Sequence, residues 1–252
     1  MTVLKLNINE NGRDFVVGDI HGHFTLFEEL LIEIKFDPKV DRMLSVGDHI
    51  DRGPESQRAL EFLKKPWFHS VRGNHEAMLL ASREMNLEIH EVWMRNGGRW
   101  AEELDAATLD EFKEAYVDLP YLIQVETPFG LVGIVHADIP PDLFDWPKLV
   151  KKIENKKIAE RQLQTLLWSR ESYRKQKMMA LYPGSYHEPT VKDVHKVYIG
   201  HSIVNQATLF GNLFFIDTGA YIDGFLTAVD LTSEEVISIP ALKFDSTKLD
   251  LD

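Results

Sequence analysis

The 252-residue chain is 44% hydrophobic and 27% charged, proportions that suit one large domain with a sizeable core and exclude wholesale disorder. Its formal charge of −12 disfavours nucleic acid as a partner, because phosphate backbones select basic surfaces. The absence of cysteine excludes disulfides and thiolate metal sites, so any metal must be held by oxygen and nitrogen ligands.

In chain order, short apolar, β-branched runs alternate with helical periodicities, which predicts an α/β layer fold. "DFVVGD" (14–19) reads as a strand. Leu26, Phe27, Leu30, Leu31 and Ile34 then line one face of a 3.6-residue period, with Thr25 and Glu28 as the capping box. "RMLSVGD" (42–48) and "HSVRGN" (69–74) are further strands, separated by a helix in "ESQRALEFL" (55–63). Helices follow in "HEAMLLASREM" (75–85), "ATLDEFKEAY" (107–116) and "ENKKIAERQLQTLLW" (154–168). The remaining strands are "LVGIVHAD" (131–138), "KVYIGH" (196–201) and "LFFIDTG" (213–219). No repeat or low-complexity linker interrupts this order, so a single domain over 1–252 is expected, frayed from about 243 onward. The N-terminus lacks an apolar core of signal-peptide length and no run approaches a membrane span, so a cytoplasmic protein without membrane attachment is expected. A monomer is expected.

Nearly every strand candidate ends in a polar cluster marked by a small residue. These are Gly18-Asp19-Ile20-His21-Gly22, Gly47-Asp48-His49-Ile50-Asp51-Arg52-Gly53, Arg72-Gly73-Asn74-His75-Glu76, His136-Ala137-Asp138 and Gly200-His201. In layered α/β folds ligands collect beyond the carboxyl ends of strands, where side chains distant in sequence converge. The set Asp19, His21, Asp48, Asn74, His136 and His201 is an oxygen and nitrogen donor set suited to Mn, with Fe and Zn as alternatives. A carboxylate can bridge two cations, and Asp48 stands centrally in the order. Two divalent metal ions so held would clamp a phosphoryl oxygen and a bridging hydroxide nucleophile.

"GDIHG", "GDHIDRG", "RGNHE", "HAD" and "GH", together with "RNGGRW", "LWSRES" and "FIDTGA", resemble the phosphoprotein phosphatase (PPP) family of metallophosphoesterases, in particular its phage and bacterial members. The resemblance spans Phe15 to Leu226. It implies a calcineurin-like fold, a central β-sandwich flanked by helices in four layers, with two metals at one sandwich edge. Asp19 and His21 would bind the first metal, Asp48 would bridge, and Asn74, His136 and His201 would bind the second. His75 would be the general acid, Asp51 would orient it, and Arg52 and Arg170 would grip the phosphate oxygens. The implied activity is a metal-dependent protein phosphatase acting on phosphoserine and phosphothreonine, with phosphotyrosine as a further substrate. The alternative is a symmetrical dinucleoside tetraphosphate hydrolase, which shares the metal motifs. Phosphorylated proteins or peptides would be the partners.

Outside this set, His49 is expected to be half-exposed, His23 to stand behind the ligands, and His69, His90, His187 and His195 to have surface or packing roles. Trp93 and Trp100 are expected to be packing aromatics and Asp217 structural. The Tyr- and Met-rich segment 172–196 is expected either to overhang the site and help select the substrate or to be a solvated connecting loop.

Overall fold

The computed structural model describes residues 2–84 and 87–241, so the expected frayed tail lies outside the described residues. In chain order the elements are β1 (Val3–Leu6), β2 (Asp14–Val17), α1 (Phe24–Glu33), β3 (Arg42–Ser45), α2 (Ala59–Leu63), β4 (Phe68–Ser70), α3 (Asn74–Arg83), α4 (Leu87–Arg95) and α5 (Ala106–Val117). They continue as β5 (Leu122–Thr127), β6 (Gly130–Val135), α6 (Trp146–Glu154), α7 (Glu160–Trp168), α8 (Glu171–Leu181), β7 (Lys196–Ile199), β8 (Thr208–Phe210), β9 (Leu213–Phe215), β10 (Phe225–Asp230) and β11 (Val236–Pro240).

Two mixed sheets form, ordered β1-β5-β6-β7-β9-β8 and β11-β10-β2-β3-β4. Val16, Leu44, Ile123, Ile134, Tyr198 and Val229 are fully buried in one cluster drawn from both sheets. Strand residues of opposite facing pack elsewhere. Phe15, Val17 and Met43 join Phe24, Phe27 and Leu79 of α1 and α3, while Val135, Val197 and Phe215 join Trp146, Leu149 and Leu166 of α6 and α7. Alternation along each strand thus buries both faces of each sheet. The result is the four-layer sandwich that the family resemblance implied. Among the described residues, no helix is long and apolar enough to cross a membrane.

Parallel pairing sets the direction of the site. β2, β3 and β4 run parallel in one sheet, and β6, β7 and β9 run parallel in the other. These are the strand runs legible in the sequence.

Some local expectations fail for physical reasons. Thr25 does not cap α1. Its amide and hydroxyl donate to Glu55, at 2.7 and 2.6 Å, while Glu28 pairs with Arg58 at 2.7 Å. His23 occupies the cap position. The helix expected over 154–168 is broken, because the chain turns at Lys156, whose φ is +53°, and restarts where Gln162 accepts the Ala159 amide at 3.0 Å. Segment 172–196 is not simply an overhanging loop: Glu171–Leu181 is helix, and 182–188 is exposed chain.

Asp41 ties the start of β3 to the residues before β2. Its carboxylate accepts the Arg13 amide at 2.7 Å, the Arg13 guanidinium at 2.7 Å and the Asp37 amide at 3.0 Å. Burial alone would raise its pKa, but these bonds hold it below the ordinary carboxylate range. The stabilisation is therefore complete above pH ~4 and fades as pH falls through the depressed folded pKa. Urea melts of Asp41→Asn should show a loss of ~1–3 kcal/mol at pH 7 that narrows in acid. A loss independent of pH would contradict this account.

Candidate metal centre and active site

Six polypeptide turns meet where the parallel strands end. β2 delivers Asp19 and His21, β3 delivers Asp48, Asp51 and Arg52, and β4 leads into Asn74 and His75 at the start of α3. From the other sheet, β6 ends at His136, β7 leads to His201 and β9 leads to Asp217. All six expected ligands are buried.

The turns are held in one place by backbone-directed bonds. The amides of Ile20 and His21 donate to the Asp48 carbonyl at 3.2 and 2.9 Å. Glu76 accepts the amides of Gly73, Asp48 and His49 at 2.8, 3.0 and 2.8 Å, joining the ends of β3 and β4. Asp19 accepts the His201 amide with both oxygens, at 3.1 and 3.0 Å, which joins the two sheets. Two glycines permit this closeness. A Cβ on Gly73 would stand 2.1 Å from Asp48 Oδ1, and one on Gly200 would stand 2.1 Å from Asp19 Oδ1.

The backbone itself is bent at the site. His21, Asp48, Asp51, Arg52 and His201 have φ of +44°, +52°, +72°, +72° and +61°. A non-glycine residue in the left-handed region costs about 1–3 kcal/mol and persists only where its surroundings enforce it. At His21, Asp48 and His201 the enforcers are the bonds just described, and at Asp51 the amide donates to Ser56 Oγ at 2.9 Å.

Hydrogen bonds also choose the imidazole tautomers. His21 Nδ1 meets the Ile50 carbonyl at 2.9 Å and His136 Nδ1 meets the Val46 carbonyl at 2.8 Å, so each carries a proton there and turns Nε2 toward the cluster. His201 uses Nε2 on the Trp168 carbonyl at 3.2 Å, which leaves Nδ1 free. Asp48 Oδ2 lies 3.6 Å from His21 Nε2 and 3.4 Å from His136 Nε2, and Asn74 Oδ1 is 2.8 Å from His136 Nε2. Asp19 Oδ2 is 4.0 Å from His21 Nε2. Two groups, His21-Asp48-His75 and Asp48-His136-His201, each gather their ligand atoms within 4.8 Å, and both contain Asp48.

Burial holds His21 well below its usual pKa, with His75 adding to the effect, and burial and His136 lower His201 to about 2. Both rings are therefore neutral, the ligating form. Burial would raise Asp48, but His136, His75 and His21 hold it far below the carboxylate range. Burial pushes Asp19 well above that range, as do Asp217 and Asp48. Buried carboxylates facing imidazoles, in two groups that share Asp48, make a donor set that could hold divalent metal.

His75 is placed differently from the other histidines. Its Nδ1 is 2.5 Å from Asp51 Oδ2, while its Nε2 is buried without a hydrogen-bond partner, 3.8 Å from Asp48 Oδ2. Burial alone would lower the His75 pKa, but Asp48 and the Asp51 bond outweigh it and raise it. Trp93 Nε1 donates to Asp51 Oδ2 at 2.8 Å and Trp100 Nε1 to Asp51 Oδ1 at 2.6 Å. The expectation that these tryptophans only pack is corrected. An indole N–H is their one polar handle, and both spend it on the carboxylate that faces His75.

Arg52 and Arg170 are exposed. Arg52 lies over the Tyr221 ring at 4.3 Å with Nη1 2.8 Å from His21 Nε2, and Arg170 Nη2 donates to the His201 carbonyl at 3.1 Å. The Asn96-Gly97-Gly98 turn packs on Arg52, since a Cβ on Gly97 would lie 2.7 Å from the Arg52 amide nitrogen. His23 bonds the His21 carbonyl at 2.8 Å, behind the ligands as expected.

His49 is corrected from half-exposed to fully buried. Its Nε2 meets Ser70 Oγ at 2.8 Å and Ser45 Oγ at 3.2 Å, and burial lowers its pKa. It turns away from the cluster of expected ligands into the space between β3, β4 and Tyr116. His90 and His195 bond Ser82 and Glu234 at 2.7 and 2.9 Å, the peripheral roles expected of them.

A calcineurin-like phosphoesterase family model matches residues 15–205. The chain belongs to that family, whose members bind a dinuclear metal centre, and it is an enzyme of the metallophosphoesterase superfamily. Within the family it is similar to bacterial PPP enzymes. It is 35% identical over 216 residues to serine/threonine-protein phosphatase 2 of Salmonella typhimurium, which covers 84% of this chain and 90% of that one. A symmetrical bis(5'-nucleosyl)-tetraphosphatase of Pseudomonas putida is 34% identical over 129 residues, 50% of this chain and 42% of that one. A serine/threonine phosphatase structure from Saccharomyces cerevisiae superimposes with a TM-score of 0.57 at 18% identity, covering 94% of this chain and 82% of that one, which supports the fold.

Proposed function

We propose that the chain is a metal-dependent protein phosphatase that hydrolyses phosphoserine and phosphothreonine monoesters, with phosphotyrosine also accepted. The observation that carries this reading is the similarity to a bacterial serine/threonine phosphatase along 90% of that relative's length.

In this reading Asp19, His21 and Asp48 hold one cation, and Asp48, Asn74, His136 and His201 hold the other. When bound, the pair supplies Lewis acidity and a water made nucleophilic at neutral pH. Arg52 and Arg170 hold the phosphate oxygens with their planar donor forks. Asp51, fixed by Trp93 and Trp100, accepts the Nδ1 proton of His75 and favours the imidazolium, which carries a second proton on Nε2. His75 then gives that proton to the departing serine or threonine oxygen.

Trp100→Phe keeps the ring but removes one donor to Asp51. Its kcat on a phosphoserine peptide is expected to fall ~10-fold, because the proton donor is less well set. Metal content and turnover of p-nitrophenyl phosphate, whose leaving group needs little protonation, should be preserved. An equal fall on both substrates would remove Trp100 from this role.

The second reading is a symmetrical dinucleoside tetraphosphate hydrolase, favoured by the similarity to such an enzyme over half the chain. Phosphate release by Mn²⁺-loaded protein separates the two, using a phosphoserine peptide, a phosphotyrosine peptide and diadenosine tetraphosphate. Metal-dependent peptide cleavage supports the phosphatase. Cleavage of the dinucleotide alone overturns it.

A further inference from the structure

Asp138 lies two residues beyond His136, at the end of β6. It has no place among the cation ligands, yet it is 2% exposed and both its oxygens are engaged. Oδ2 accepts the Ser172 amide at 2.9 Å and the Ser169 hydroxyl at 3.2 Å. Oδ1 accepts the Ser172 hydroxyl at 2.8 Å and the Ile139 amide at 2.8 Å. Three of these four bonds clasp the short turn between α7 and α8. Arg170 sits inside that turn, as the residue that opens α8.

The geometry points to Asp138 as the positioning residue for Arg170, and so for the affinity of the site for a phosphoryl group. The inference rests on the proposed role of Arg170 in gripping phosphate oxygens. An exposed arginine side chain carries much rotamer freedom, and its own bond to the His201 carbonyl fixes only one nitrogen. What limits its reach is where its Cα stands. Asp138 sets that point by binding the residues on both sides, Ser169 and Ser172. Because Asp138 shares the end of β6 with His136, it ties the phosphate grip to the same strand that presents a metal ligand. A carboxylate suits the task because all four groups it meets are donors. An amide of the same shape would turn two hydrogens toward some of them.

The test is a double-mutant cycle on the Mn²⁺-loaded full chain with Asp138→Asn, Arg170→Ala and the double variant. Readouts are KM and kcat for the best substrate of the enzyme, the inhibition constant of inorganic phosphate, and bound metal. Misplacing a substrate-gripping group should raise KM and the phosphate inhibition constant ~10-fold to ~100-fold in each single variant. The double variant should be no worse than Arg170→Ala, with metal content unchanged throughout. Ser172→Ala, which removes one bond and keeps the charge, should give a smaller change of the same kind and keeps the test open should Asp138→Asn fail to fold. Additive losses in the cycle, lost metal in Asp138→Asn, or normal phosphate affinity in both Asp138 and Ser172 variants would overturn the inference alone. An Arg170→Ala enzyme with unaltered phosphate affinity would overturn the role of Arg170 and the inference with it.

Discussion

His75→Asn is expected to lower kcat on a phosphoserine peptide by ~10²–10⁴-fold, the usual share of a general acid. Two features of the residue lead there. Nδ1 is committed to Asp51 at 2.5 Å, and Nε2 is buried with no partner of its own. A buried polar atom left unpaired is costly, and natural proteins tolerate it where it has work to do. His75 also stands close enough to His21 and Asp48 to share a cation, so the variant must be assayed for metal as well as rate. Retained metal with lost turnover is the expected pattern. Loss of one equivalent of metal would make His75 a ligand and leave the acid to be found elsewhere. A p-nitrophenyl substrate should report a much smaller fall, since its leaving group departs as a stable phenolate.

Asp48→Asn is expected to abolish turnover and metal-dependent stabilisation together. Asp48 is the one residue present in both candidate cation groups, and its pKa stands far below the carboxylate range. An amide keeps the shape but offers one neutral oxygen in place of a shared anion. In the parent protein, Mn²⁺ at ~100 times its dissociation constant should add ~2.7 kcal/mol to unfolding, read as a rise in Tm that a chelator reverses. The variant should show no such rise. A parent protein with the same Tm with and without Mn²⁺ would count against the whole centre.

Much of the site is visible in the sequence, for a geometric reason. A strand that delivers a ligand must end in a turn sharp enough to free it, so glycine and the ligand appear together at the end of an apolar run. β2, β3, β4 and β7 carry that mark, while β6 presents His136 beside Ala137 and β9 leads to Asp217 rather than to an expected ligand. β1, β5, β8, β10 and β11 deliver nothing to it and pass unmarked. Residues that act on the site from outside it were equally hidden. Trp93 and Trp100 reach Asp51 from 42 and 49 positions away, and a tryptophan in a helical segment looks the same whether or not its N–H is committed. Asp138 and Glu76 could be quoted as parts of motifs, but their task is to accept backbone amides, and that depends on where distant turns arrive. His49 misled because a histidine in a polar string suggests exposure, whereas the loop that leaves β3 turns it inward toward Ser45 and Ser70.

The bond from the His201 amide to Asp19 spans 182 positions of the chain. A contact of that separation cannot form until almost the whole polypeptide has left the ribosome and the two sheets have closed on each other. Neither sheet alone carries a complete set of donors for both cations. A chain with only the β2-β3-β4 sheet formed would therefore offer donors for one cation, and the set for the pair is completed only when the sheets close. Hydrolytic power would then arrive all at once, in finished molecules only.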